Sequence, residues 1–138
     1  MREIKFRVWD KVSESMEYEI AIGKGYGEDS YILFLGLGET FIIDTDVVEI
    51  MQYSGFKIKN REVYEGDIIK GRKDTVYKVV FERGCFFLYH INLFDIDKTN
   101  LRWGLLSRLF DSDMIDIEKD CEIIGNIYEN KNLIAEVK

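Results

Sequence analysis

A mostly β protein is predicted by three observations on the sequence. Apolar and polar residues alternate with a period of two along several stretches. β-Branched and aromatic residues gather in runs of strand length. Polar turns, most of them carrying glycine, separate those runs. The expected architecture is a compact, strongly bent small β-barrel of SH3-like size in the C-terminal half. An additional N-terminal antiparallel β unit packs on it, with at most one or two short helices. The 138 residues suit a single domain, with residues 1–54 as the N-terminal unit and 55–138 as the barrel-like part.

The elements follow in order. Ile4-Lys5-Phe6-Arg7-Val8-Trp9 alternates apolar with basic, the pattern of a half-buried strand. Met16 to Ile22 alternates again, with Met16, Tyr18 and Ile20 on one face. Gly23 to Gly27 reads as a flexible loop. Tyr31 to Leu35 is a continuous apolar run, and Phe41 to Ile43 and Val47 to Met51 follow as strands. Gln52 to Lys70 is the most sharply punctuated segment. It holds a strand end, a Ser54-Gly55 turn, a basic loop from Lys57 to Glu62, a tight turn at Glu65-Gly66-Asp67 and a strand from Ile68. Gly71 to Asp74 is a polar turn. Thr75 to Phe81 alternates, Glu82-Arg83-Gly84 turns the chain, and Cys85 to His90 returns as the second arm of a hairpin. Leu105, Leu106, Leu109 and Phe110 form one stripe of a short helix. The acidic stretch after them has no regular period, and Cys121 to Tyr128 is a last short strand.

Composition narrows the class. Apolar residues make up 46% and charged residues 33%, the balance of a soluble globular domain. The longest uncharged apolar run, Tyr31 to Gly38, is far short of the roughly 18–20 residues that span a bilayer. The N-terminus has charges where a signal peptide needs its apolar segment. The expectation is a cytoplasmic protein with no membrane partner. The two cysteines, Cys85 and Cys121, each lie beside apolar residues and read as small, reduced, buried side chains. There is no CxxC spacing and one histidine, His90.

The net charge of −7 opposes sequence-independent binding to phosphate backbones. Its distribution is uneven. Between Lys57 and Arg83 basic residues outnumber acidic ones by eight to five. Asp111, Asp113, Asp116, Glu118, Asp120 and Glu122 then stand against Lys119 alone. Such faces suit head-to-tail self-association, or two solvated loops of opposite sign.

Candidate chemistry is sparse. Gly23-x-Gly25-x-Gly27 follows a strand, but Glu28-Asp29 and an apolar run stand where a phosphate loop needs a helix N-terminus. Asp111-Ser112-Asp113 begins like a calcium loop, yet Ile115 and Asp116 replace the fifth ligand and the turn glycine. Asp44 and Asp46 share a face and would need further carboxylates to hold Mg²⁺. His90, at a strand end, reads as a structural residue. No catalytic residue, metal site or cofactor is assigned. The candidate binding residues are Lys57, Lys59, Arg61, Lys70, Arg72, Lys73 and Lys78, which would meet nucleic acid if neighbouring aromatics lay on an exposed strand face.

Three segments then converge on a known family. Ile4-Lys5-Phe6-Arg7-Val8-Trp9-Asp10 resembles an "I-K-F-R-x-W-D" opening. Gln52 to Phe56, with Lys59-Asn60 and Val63-Tyr64-Glu65-Gly66-Asp67-Ile68-Ile69, resembles "Q-Y-T-G-L-x-D-x-N-G-x-x-I-Y-E-G-D-I-V". Glu122 to Asn130 resembles "E-V-I-G-N-I-Y-E-N". In this order and spacing they resemble the YopX family, small proteins encoded by phages and prophages of Gram-positive bacteria. Ile58 stands where that pattern has Asp and Arg61 where it has Gly, so the Asn-Gly turn of the pattern is replaced by Asn60-Arg61. The resemblance implies a mostly β protein acting inside the bacterial cell, and brings no catalytic or ligand residues. The functional expectation is a non-enzymatic binding or assembly protein, partnered by copies of itself or by a host or phage protein. Nucleic-acid binding through the basic 57–83 segment is the alternative.

Overall fold

A computed structural model of the chain describes residues 3–18, 20–24, 30–35, 39–44, 47–91, 102–106 and 116–135, with backbone alone for 21–44, 102–105 and 134–135. It is mostly β, and its described helices are short. Two compact units divide it, Met1–Gly55 and Phe56–Lys138.

The first unit begins with β1 (Phe6–Asp10) and β2 (Ser15–Glu17), an antiparallel pair with Val8 opposite Glu17. Asp10 closes the turn between them by accepting the amides of Val12 and Ser13 at 2.9 and 3.2 Å. Those amides, Ser13 first, hold its carboxyl below the usual range. β3 (Ile20–Lys24), β4 (Ser30–Leu35) and β5 (Glu39–Asp44) form an antiparallel meander, with Leu33 opposite both Ile22 and Phe41. β6 (Val48–Ile58) returns antiparallel to β1, setting Ile50 opposite Val8. Val8 and Val48 are the buried centre, with Ile20 and Ile50 packed on them.

Three expectations change here. The strand read as Met16 to Ile22 is two strands, and Gly23 and Lys24 belong to β3 instead of a loop. Residues 25–27 lie outside the described residues. Arg7 is 3% exposed although it alternates with apolar neighbours, because β1 is covered on both faces. Ser54-Gly55 is not a turn: β6 runs through it, and Gly55 takes a φ of +88°, a bend that a side chain would strain.

The second unit takes the end of β6 and continues with β7 (Arg61–Tyr64), β8 (Asp67–Lys70), β9 (Val76–Glu82), β10 (Cys85–His90), β11 (Arg102–Leu105) and β12 (Glu122–Asn126). Five of these form a sheet in the order β11-β10-β9-β8-β12, every neighbour antiparallel, curled as a half-barrel. Helices α1 (Ile117–Asp120) and α2 (Lys131–Ala135) flank β12 in sequence. The inward face buries Ile58, Val63, Ile69, Tyr77, Val79, Leu88, Leu106, Ile117, Cys121 and Ile123 in one cluster. Ile68 and Ile69 point to opposite faces of β8, and both are fully buried, so the sheet is covered on both sides at that point.

The helix expected at Leu105 to Phe110 is corrected at its start, since Leu105 ends β11. Leu106, the next residue, is helical and buried, and residues 107–110 lie outside the described residues. A further helix lies in the acidic stretch: α1 is capped by Asp116, whose side chain accepts the Lys119 amide at 3.2 Å. Cys85 was expected to be buried and is exposed, because it follows directly on a turn; Cys121 is 2% exposed. Among the described residues no helix is long and apolar enough to cross a membrane.

Candidate functional site

Three tight turns shape the second unit. Lys59-Asn60 joins β6 to β7, Lys73-Asp74 lies within the 71–75 connection of β8 to β9, and Arg83-Gly84 joins β9 to β10. All six residues have positive φ: 49° and 65°, 56° and 58°, 50° and 76°. Positive φ at both central positions is what a type I′ turn demands, and that turn matches the twist of the strands it joins. At Lys73-Asp74 the Thr75 amide closes the turn on the Arg72 carbonyl at 3.2 Å, and the Thr75 hydroxyl donates to the same oxygen at 2.7 Å. In each case the first central residue is a cation, where Asn, Asp or Gly is favoured. A side chain held left-handed there costs about 1–2 kcal/mol.

Two of these turns border α1. The Lys59 amide donates to Glu118 Oε2 at 2.7 Å, and Arg72 forms an ion pair with Asp120. Arg61 Nη1 reaches the Ile123 carbonyl of β12 at 3.0 Å. The Arg72 hydrogen bond and charge hold the Asp120 carboxyl below its usual range, and Asp120 in turn raises the guanidinium. Burial, then the Asp120 charge, pushes the Cys121 thiol up.

Of the sequence-predicted residues, Lys59 and Arg72 meet α1 and Arg61 reaches β12, while Lys73 is exposed in the turn beside Arg72. Lys57 is exposed on β6. Lys70 pairs with Asp74 at 3.2 Å, one turn along. Lys78 is half-buried in mid-strand, opposite Ile68 and Tyr89, away from the turns. The carboxylates that answer the cations, Glu118 and Asp120, were read only as part of an irregular acidic stretch. Asp116 as a cap, with Ile117 and Cys121 four apart, is the signal that marks their helix.

The other readings resolve as follows. His90 meets Tyr77 edge-on at 5.0 Å between ring centroids. Asp116, the end of the calcium-like stretch, caps α1, while 111–115 lie outside the described residues, as do the Asp44 side chain and Asp46. Among the described residues no three His, Cys, Asp or Glu are grouped to hold a metal ion. Near the basic residues Tyr64, Tyr77 and Tyr89 are 3%, 6% and 8% exposed, so these rings are not a stacking surface. Tyr89 donates its hydroxyl to Glu82 instead. Phe81, 37% exposed, leans on Phe86 at the end of the β9–β10 hairpin.

Two polar clusters are built from the residues that carried the resemblance. Asp67, 2% exposed, accepts the Tyr64 amide on Oδ2 at 2.8 Å across the Glu65-Gly66 turn. The Gly66 amide donates to Val79 and its carbonyl accepts from Ile127, both at 2.9 Å, so this turn is fastened to β9 and to the chain after β12. At the other cluster Asn126 Oδ1 accepts the Tyr128 and Glu129 amides at 3.0 and 2.8 Å. Asn130 Oδ1 accepts the Asn126 amide at 3.1 Å, directly over Gly125.

The family model described as YopX protein matches residues 5–135. The chain belongs to the YopX family. Its fold is similar to that in the crystal structure of protein EF1440 from Enterococcus faecalis, with a TM-score of 0.62 and 21% identity, covering 97% of this chain and 99% of that one. No curated protein matches the chain. The YopX signature thus falls on the Asp67 turn and the Asn126–Asn130 turn, both of which shape backbone.

Two consequences are measurable. A thiol reagent is expected to label Cys85 within the mixing time of a slow assay and Cys121 only at the rate of unfolding; equal labelling rates in the native protein would contradict the burial of Cys121. Asp120→Asn tests the ion pair. A depressed folded value means Asp120 stabilises above the usual carboxylate range, and that contribution fades as pH falls through the folded value. The variant is therefore expected to be less stable than its parent at neutral pH, the gap closing as pH falls through the folded value and narrowing in high salt. A deficit unchanged at low pH in denaturant melts would show that the pairing is not its cause.

Proposed function

We propose that the protein is a non-enzymatic binding or assembly protein of phage or prophage origin, acting in the cytoplasm of the host cell. One observation carries this reading. The polar side chains of the signature segments are committed to their own backbone: Asp67 to Tyr64, Asn126 to Tyr128 and Glu129, Asn130 to Asn126. Groups tied this way define a shape, and a shape is what a partner surface requires. The partner is a second copy or a host or phage protein.

The nucleic-acid reading has less support. Arg61 and Arg72 are engaged within the unit, and the tyrosines beside the basic residues are buried. Sedimentation velocity at high micromolar concentration, in low and high salt, tests assembly; a monomer in both would remove it. Titration with single- and double-stranded DNA and RNA at low salt tests the alternative, which ends if nothing binds.

A further inference from the structure

We draw no further inference here: the strongest candidate, the aromatic patch at the tip of the β9–β10 hairpin, where Phe81 leans on Phe86 beside the exposed Cys85, carries nothing because nothing in the structure shows what covers it.

Discussion

Gly125→Ala is expected to destabilise the protein by about 2–4 kcal/mol, the sum of overpacking and broken hydrogen bonds. A Cβ at residue 125 would overlap Asn130 Oδ1 and stand 2.5 Å from its Cγ and 3.0 Å from its Cβ. Asn130 cannot swing away freely, because its side chain accepts the Asn126 amide and its own amide donates to the Asn126 carbonyl at 3.0 Å. Asn126 in turn holds the amides of Tyr128 and Glu129. The methyl therefore dislodges a whole turn and loosens the end of β12. Denaturant melts of Gly125→Ala, Asn130→Ala and the double variant check the cause. Shortening Asn130 removes the obstacle, so the double variant should cost clearly less than the two single losses added. Strict additivity would show that the overlap is not the source.

Asp67→Ala is the second large effect, again about 2–4 kcal/mol, because a buried amide loses a charged acceptor. The Tyr64 amide and the carboxylate both lie in the interior, so no water replaces the missing oxygen. Gly66 adds to the consequence. Its two backbone bonds to Val79 and Ile127 depend on the turn that Asp67 closes. Asp67→Asn keeps an acceptor in place and should recover about half of the loss. Equal losses for the two variants, or a loss within about 0.5 kcal/mol for alanine, would contradict the role of this carboxylate.

The strands were legible wherever period and punctuation agreed. Cys85 to His90 is β10 as read, and Arg83-Gly84 was visible because glycine marks the second position of its turn. Lys59-Asn60 and Lys73-Asp74 have the same geometry and a lysine in the leading position, so their sequence carries only part of the turn signal. Ser54-Gly55 misled in the opposite sense: a turn dipeptide was carried straight through by the pairing of β6. Alternation at Arg7 reports which residues share a face and is silent on whether the second face is covered, which here it is. β11 has a glycine in a four-residue strand and no alternation to detect, and α1 is a single turn, too short for a helical period. At the candidate surface the cations were legible, and their partners were not. Lys59 and Glu118 are 59 residues apart, and no local pattern joins them.

Arg61 gives the half-barrel a property beyond its own fold. β12 closes one end of the five-stranded sheet, and the terminal strand of any sheet offers backbone groups to a passing chain. The Arg61 guanidinium already lies on the Ile123 carbonyl there. That contact occupies an acceptor on the sheet margin and stands as a local obstacle to the addition of a further strand.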